Sequence, residues 1–449
     1  MGQNMKKNSA GTSRTRDAFR SKFGFIVACV GSAVGMGNIW MFPYRTGQYG
    51  GAAFLIPYFI FVAILGFSGV VGEMAFGRAM KTGPLGAFGK VMEMRGLKGG
   101  RLIGMIPVLG SLAIGIGYSV VVGWFLRFLW GSLSGNMFHA ADVSAYFGEI
   151  AGNFGSTGWH MAGLAVTFVI MAFGVSKGIE KMNKIMMPLF FIFFLFLMIR
   201  VLTLGNAGAG YRYLFVPKWE YLMQPKTWVF ALGQAFFSLS LAGSGTLVYG
   251  SYLSKNVDVV ESARNVAFFD TCAAILAGLV VIPGVFAFGL DVSAGPPLMF
   301  ITLPEVFRQM PFGQVFAVVF FVAVLFAAVT SLMNLFETPI EALQEQFGLS
   351  RKMAVILVAF AAAAVGIFIE SADMVSVWMD VVSIYIIPLG ALLAAVMFFW
   401  AAPRGFAREQ VQTGRRKPLG KWFEPATKYL FVGLTFVVYI LGIFYGGIG

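Results

Sequence analysis

Two glycine-rich segments of this chain carry the backbone and side-chain groups best suited to binding ligands. They are Gly31-Ser-Ala-Val-Gly-Met-Gly-Asn38 and Ser238-Leu-Ser-Leu-Ala-Gly-Ser-Gly245, and each interrupts a long apolar stretch. Where a helix unwinds, its carbonyl oxygens are available to a hard cation, and the N–H groups that open the next helical segment attract an anion. A ligand that bears a carboxylate and an ammonium group, accompanied by Na⁺, would suit such a site.

Membrane-spanning helices must position these two segments. The chain has 449 residues, of which 58% are hydrophobic and 12% are charged. Apolar runs of about twenty residues, enough to cross a bilayer as a helix, recur from end to end. Lipid offers no hydrogen-bond partners, so a spanning helix unwinds only where protein or a hydrated cavity satisfies its backbone. We therefore predict an all-α polytopic membrane protein with its binding site at the two breaks.

About eleven spans are predicted, and the first and sixth contain the breaks. The predicted spans are 20–47, 51–78, 102–134, 157–175, 183–204, 227–254, 260–290, 312–346, 351–370, 374–401 and 427–447. Spans one to five overlay on spans six to ten with opposite topology, which predicts a 5+5 inverted-repeat transporter fold. The predicted units are a cytoplasmic N-terminal segment (1–19), a first repeat (20–205), an external loop (206–226), a second repeat (227–402), a cytoplasmic loop (403–426) and the eleventh span (427–449). The proline-rich segment 296–311 is expected to hold a short helix that caps a cavity.

The formal charge of +13 indicates membrane orientation and not nucleic-acid binding. Lys and Arg cluster in the N-terminal segment, after the second span and within 404–421, whereas 131–158 contains neither. The positive-inside rule therefore predicts a cytoplasmic N-terminus and, with eleven spans, an external C-terminus. The expected location is the inner (cytoplasmic) membrane of a prokaryote.

The cysteine and histidine residues predict neither a disulfide framework nor a metal centre. Cys29 and Cys272 both lie within predicted spans. His139 and His160 lack a third ligand at metal-site spacing and are expected to be solvated surface groups.

Longer motifs resemble those of the neurotransmitter:sodium symporter family along nearly the whole chain. The matching motifs are Gly31-Ser-Ala-Val-Gly-Met-Gly-Asn-Ile-Trp-Met-Phe-Pro-Tyr44, Gly50-Gly-Ala-Ala-Phe-Leu-Ile-Pro-Tyr58, Glu73-Met-Ala-Phe-Gly-Arg78, Tyr118-Ser-Val-Val-Val-Gly-Trp124, Phe236-Phe-Ser-Leu-Ser240, Tyr249-Gly-Ser-Tyr252 and Phe300-Ile-Thr-Leu-Pro-Glu305. The resemblance implies a ten-helix inverted repeat, to which many bacterial members add an eleventh span. It also implies uptake of an amino acid or amine driven by the Na⁺ gradient.

The same resemblance implies two sodium sites built from oxygen ligands, as a hard cation requires. The first would use the Ala33 carbonyl, the substrate carboxylate, and the side chains of Asn38, Ser238 and Asp270. The second would use the carbonyls of Gly31, Val34 and Ala327 with the hydroxyls of Thr330 and Ser331. Taken alone, the Thr330-Ser331 pair is more typical of hydroxyls that bond back to their own helix.

Asp270 is the acid most indicative of function, because a carboxylate within an apolar helix is costly. Related chloride-dependent carriers have a neutral amide at this position. The fixed negative charge therefore predicts chloride-independent transport, although Tyr58 and Gln234 still match the anion pocket. A protonated, purely structural Asp270 is the alternative.

The resemblance also outlines a substrate pocket. Its implied residues are Ala33, Met36, Gly37, Ile114, Tyr118, Phe237, Ser238, Ser240, Gly243, Ser331 and Leu335. The N–H groups of Met36 and Gly37, with the Tyr118 hydroxyl, would hold a carboxylate. No acid follows Ala33, where amine carriers have one, and this favours amino acids. Gly243 leaves room for a large apolar or aromatic side chain.

The gating residues match the family on the cytoplasmic side of the membrane and differ from it on the external side. The implied cytoplasmic gate comprises Arg16, Phe19, Ser251, Tyr252 and Glu345. Outside, Asp380 matches the acidic gate residue, but Met41 replaces the usual arginine, so the usual ion pair is missing.

These features predict a Na⁺-coupled symporter of a zwitterionic amino acid that works by alternating access. Its expected partners are the substrate, two Na⁺ ions and the lipid bilayer, without nucleic acid. Two alternatives stay open, which are a carrier of another small organic solute, such as an osmolyte, and a non-transporting sensor. An intramembrane enzyme based on Asp270, Glu73 or Asp380 is disfavoured, because the sequence shows no nucleophile–base pair.

Overall fold

The chain folds into a bundle of helices, and the two glycine-rich segments interrupt helices as predicted. The computed structural model describes residues 17–241, 244–293, 295 and 297–448, and no strand occurs among them. The spans are Lys22–Ala33 with Gly37–Gln48 (span 1), Ala52–Met80 (2), Gly100–Ser134 (3), Thr157–Ala172 (4), Val175–Leu202 (5), Pro225–Ser238 with Gly245–Ser251 (6), Val259–Ala287 (7), Gly313–Phe347 (8), Arg351–Ile369 (9), Ala372–Ala401 (10) and Phe423–Tyr445 (11).

Most of these spans are long and apolar enough to cross a bilayer. Within the described ranges, 8 helices pass that test singly, and the two halves of span 1, bent by 51°, form a further one. Span 4 is shorter, with 16 residues, and span 6 is divided into helices of 14 and 7 residues. Each predicted span therefore corresponds to a helix or to a broken pair of helices.

Short helices connect the spans. They are Pro84–Met94, Asn136–His139, Val143–Ile150, Ala207–Phe215, Trp219–Leu222, Leu303–Gln309 and Phe406–Gln412. Leu303–Gln309 is the helix expected in the proline-rich segment. We call the end of the bundle with loops 135–156 and 288–312 the lid side, and the end with residues 17–21, 81–99 and 402–422 the basic side.

The first break has a clear local cause. Span 1 begins at a Ser21 cap, whose hydroxyl accepts the Gly24 N–H at 2.9 Å. The helix ends after Ala33 because Val34 is extended, with φ −71° and ψ 105°. Helical structure resumes at Gly37, so the carbonyls before the break and the N–H groups after it face the bundle interior.

Span 2 packs tightly against the second half of span 6. A Cβ atom added to Gly77 would lie 1.8 Å from the Leu247 carbonyl oxygen, and one added to Gly250 would lie 2.6 Å from that of Met74. Small residues at a helix crossing allow such backbone approach. This contact fixes the half-helix that follows the second break.

Gly77→Ala is expected to force these two helices apart and to destabilise the protein by about 1–3 kcal/mol. The measurement is the melting temperature of the purified protein in detergent. Gly433→Ala is the matched control, because a Cβ there meets nothing within 4 Å. Equal melting temperatures for the two variants would contradict the close approach.

Candidate functional site

Asn38, Ser238 and Asp270 form one buried polar cluster where spans 1, 6 and 7 meet. Asp270 Oδ2 accepts a hydrogen bond from Ser238 Oγ at 2.7 Å, and Asp270 Oδ1 accepts one from Asn38 Nδ2 at 2.7 Å. Asn38 Nδ2 also lies 3.1 Å from Ser238 Oγ. The residues are 0%, 1% and 0% exposed. The structure thus brings together the three side chains of the first predicted sodium set.

The chemistry of this cluster suits a hard cation. Within the described ranges, the Asp270 carboxylate contacts hydrogen-bond donors but no cationic side chain. A buried carboxylate without a counter-charge is costly, so a cation here would be stabilising. Asn38 Oδ1 accepts the Gly35 N–H at 3.2 Å. That oxygen keeps a second lone pair for a cation, as do the oxygens of Ser238 and Asp270.

The second predicted sodium set lies where the first break packs on span 8. A Cβ atom on Gly31 would lie 3.0 Å from Thr330 Cβ, and one on Gly35 would lie 3.0 Å from Ser331 Oγ. Thr330 Oγ1 is 3.0 Å from the Ala327 carbonyl, which corresponds to the back-bonded alternative. A hydroxyl that donates one hydrogen bond keeps lone pairs for a cation, so the back-bond does not exclude ligation.

A cavity of about 510 Å³ extends from the breaks towards the lid side. The predicted substrate residues that line it are Ala33, Met36, Gly37, Ile114, Tyr118, Phe237, Ser240, Ser331 and Leu335. Ser238 lies behind this lining, in the polar cluster, and Gly243 lies outside the described residues. Exposed residues at the far end of the cavity, among them Asp373 and Ser376, show that it opens to the lid side.

Polar groups at the floor of the cavity bond to one another. The Met36 N–H donates to the Tyr118 hydroxyl at 3.1 Å, so two of the groups expected to hold a carboxylate are mutual partners. The Ser240 hydroxyl donates to the Ser32 carbonyl at 2.9 Å, and Ser240 itself has φ +53°. A bound carboxylate would have to displace the Tyr118 hydroxyl from the Met36 N–H or share it.

An aromatic cluster lines the lid-side part of the cavity, with Phe300 at its centre. Ring centroids between 4.8 and 5.7 Å from that of Phe300 belong to Trp40, Trp124, Phe125, Phe128 and Phe147. Phe147, from Val143–Ile150, is stacked on Phe300 with ring planes 3° apart. The proline-rich segment predicted a cap over the cavity but not this group of rings, although the Phe300-Ile-Thr-Leu-Pro-Glu305 motif includes the central one.

Met41 and Asp380 both line this mouth of the cavity. Arg45, one turn after Met41, has its guanidinium 4.4 Å from the Phe230 ring centroid and 5.0 Å from that of Tyr44. In the part of the chain that the structure describes, no cation pairs with the exposed Asp380. Aromatic side chains, and no ion pair between described residues, therefore line this mouth of the cavity.

Aromatic packing and buried charges close the basic side. The Phe19 ring lies 5.5 Å from that of Tyr249 and 6.3 Å from that of Tyr252. Arg351 donates to Glu337 Oε1 at 2.8 Å and to Oε2 at 2.7 Å, and Glu337 Oε1 also accepts from the Tyr252 hydroxyl at 2.7 Å. The sequence analysis missed Arg351, which no recognised motif includes.

The N-terminal segment also contacts the charged residues on the basic side, through Asp17. Arg351 Nη1 lies 3.0 Å from Asp17 Oδ2. Of the predicted gate residues, Arg16 lies outside the described residues, and Glu345 accepts a hydrogen bond from Thr82. The Tyr252 hydroxyl donates its hydrogen bond to Glu337.

His160 is not the solvated surface group that the sequence led us to expect, whereas His139 is exposed. His160 is 0% exposed; its Nδ1 lies 3.0 Å from Glu370 Oε1 and its Nε2 lies 2.9 Å from Ser119 Oγ. The prediction was wrong because the histidine's distant partners, on spans 3 and 9, are invisible in a local reading. This network belongs to the scaffold beside Tyr118.

The chain is similar to known sodium-dependent carriers. The sequence profile described as the Sodium:neurotransmitter symporter family matches residues 16–146 and 138–402. An uncharacterized sodium-dependent transporter of Bacillus subtilis (strain 168), YhdH, is 39% identical over 320 residues, which are 71% of this chain and 70% of that protein. Another, from Methanocaldococcus jannaschii, is 31% identical over 434 residues, 91% of this chain and 87% of that protein.

A solved structure matches the fold closely. The crystal structure of MhsT in complex with L-phenylalanine superposes with a TM-score of 0.83 at 32% identity, covering 95% of this chain and 100% of that one. This likeness confirms the predicted fold class, an all-α transporter fold with broken first and sixth helices.

Arg351→Gln is expected to destabilise the protein by about 3–5 kcal/mol, because it leaves the fully buried Glu337 carboxylate unpaired. The measurement is again the melting temperature in detergent. The double variant Glu337→Gln/Arg351→Gln leaves neither charge buried and should recover most of the loss. Equal losses in the single and double variants would show that the pair does not carry the closure.

Proposed function

Because the chain belongs to the sodium:neurotransmitter symporter family, we propose that it imports a zwitterionic amino acid together with Na⁺. The observation that carries the proposal is the buried Asn38–Ser238–Asp270 cluster directly behind the floor of the cavity. A carboxylate bound at Met36 and Tyr118 would lie beside this cluster and could complete the first sodium site. Ion and substrate would then stabilise each other's binding, which is the basis of coupled transport.

Two sodium ions per cycle are part of this proposal. The first would be held by Asn38, Ser238, Asp270, the Ala33 carbonyl and the substrate. The second would lie between the Gly31–Val34 turn and the Ala327–Ser331 turn of span 8. Support comes from the packing of Gly31 against Thr330 and of Gly35 against Ser331.

An apolar or aromatic side chain on the substrate fits the cavity best. Its walls include Ile114, Val121 and Leu335, and its volume of about 510 Å³ falls within the range of small-molecule sites. The structural neighbour MhsT was crystallised with L-phenylalanine, which agrees with this chemistry. The ammonium group would lie near the carbonyls of the two breaks and the Ser240 hydroxyl.

The cavity opens to the lid side, which we propose is the extracellular side. Loop 131–158 on that side contains no Lys or Arg, whereas 404–421 on the other side is strongly basic. The structure would therefore correspond to an outward-facing state in which Phe19 and the Arg351–Glu337 pair keep the cytoplasmic side closed. Transport requires ions and substrate to change the relative stability of this state and an inward-facing one.

A screen of all twenty amino acids by thermal shift, with NaCl or choline chloride, tests the substrate class. We expect one apolar or aromatic group of amino acids to raise the melting temperature only with Na⁺. Counterflow of the same amino acids in proteoliposomes then separates a carrier from a sensor. An osmolyte that stabilises the protein while no amino acid does would favour the alternative carrier, and no Na⁺-dependent shift with any solute would contradict the proposal.

Uptake should be independent of chloride, because the Asp270 carboxylate supplies the negative charge that balances Na⁺. Initial rates in NaCl and in sodium gluconate are expected to be equal. Asp270→Asn should raise the Na⁺ concentration for half-maximal uptake by at least about tenfold, or about 1.4 kcal/mol. Glu220→Gln, which neutralises an exposed acid outside the cavity lining, is the matched control and should behave as wild type. A strong loss of wild-type uptake in gluconate would overturn chloride independence.

A further inference from the structure

Asn183, on span 5, is a buried carboxamide that neither predicted sodium set uses. It is 0% exposed. Its Nδ2 donates to the Ile179 carbonyl at 2.9 Å, one turn back on the same helix, and this bond fixes the orientation of the carboxamide. Its Oδ1 has no hydrogen-bond partner among the residues that the structure describes. A buried acceptor without a donor is rare in folded proteins, so this oxygen requires an explanation.

The unpartnered oxygen points at the first break. A Cβ atom built on Gly31 would lie 1.9 Å from Asn183 Oδ1 and 3.0 Å from Thr330 Cβ. Asn183 and Thr330 therefore both pack against Gly31 where a larger residue would have its side chain. Because Gly31 has no side chain, the Asn183 oxygen reaches the turn whose carbonyls form the second sodium set.

We propose that Asn183 Oδ1 is an additional oxygen ligand of the second sodium ion, supplied by span 5. This inference rests on the proposed Na⁺-coupled function and deepens it. A carboxamide oxygen is a hard, neutral donor of the kind that Na⁺ binds, and a cation would satisfy the acceptor that the protein leaves unpaired. Span 5 thereby joins spans 1 and 8 around one ion.

Charged neighbours do not offer a simpler partner for this oxygen. Lys184, the next residue, bonds through Nζ to Glu180 Oε1 at 2.6 Å and to Ser21 Oγ at 3.1 Å. Its ammonium is therefore engaged at the end of span 1 and away from Asn183 Oδ1, which keeps no partner among the described residues.

The test is a Na⁺ titration of the melting temperature of the full chain without substrate, at constant ionic strength with choline chloride. Substrate is left out because its carboxylate is a proposed ligand of the first ion only. Asn183→Ala is expected to raise the half-saturating Na⁺ concentration about tenfold, as Thr330→Ala should. Asn183→Asp keeps an oxygen in place and should bind Na⁺ at least as well as wild type.

Thr167→Val is the matched control, because Thr167 is also fully buried and bonds back to a carbonyl one turn earlier, at 2.9 Å. It should leave the Na⁺ titration unchanged. If the Na⁺ titration of Asn183→Ala equals that of wild type while Thr330→Ala binds Na⁺ more weakly, Asn183 is not a ligand. The inference then fails, and the proposed function is unaffected. If Asn183→Asp binds Na⁺ as weakly as Asn183→Ala, the inference also fails. Absence of any Na⁺ effect on the wild-type protein would instead overturn the proposed function.

Discussion

Two helices are interrupted inside an apolar bundle, and the backbone groups left without helical partners must find other hydrogen bonds. This requirement constrains the whole site. Water and lipid cannot supply these partners uniformly at such depth, so side chains from other spans do so. Gln234 donates to the Gly37 carbonyl at 2.7 Å, and Ser240 donates to that of Ser32 at 2.9 Å. Residues of span 6 thus hydrogen-bond to the interrupted part of span 1. These hydrogen bonds hold the two breaks side by side at the floor of the cavity. Ion and substrate chemistry follows from that support.

Asp270 adds the electrostatic element to this arrangement. A carboxylate held by two neutral donors keeps both oxygens in the cluster without neutralising its charge. A cation beside it would therefore be stabilising, and in the proposed function the carboxylate of a zwitterionic substrate would complete the balance of charge. Under that proposal, substrate affinity and Na⁺ affinity would depend on each other through direct contact.

Local sequence predicted the parts of this molecule that depend on local chemistry. Glycine in an apolar helix indicated both breaks, and hydropathy placed the spans within a few residues of their observed bounds, except that span 5 begins at Val175, eight residues before its predicted start. Pairings between distant elements were not predictable in the same way. Glu337 and Arg351 are separated by a helix end, and His160 finds Glu370 only through the packing of spans 4 and 9. Nothing in the neighbouring residues specifies such partners, because only the tertiary arrangement brings them together.

The His160 network has a consequence for how this pocket can be altered. Ser119, which contacts His160, directly follows Tyr118 in the chain, so the scaffold fixes the backbone from which the Tyr118 hydroxyl reaches Met36. Part of the geometry of the proposed carboxylate-binding groups is therefore set by residues that do not line the cavity. Two homologues with identical cavity linings can differ in affinity if this network differs, and redesign of the lining residues alone leaves that determinant unchanged.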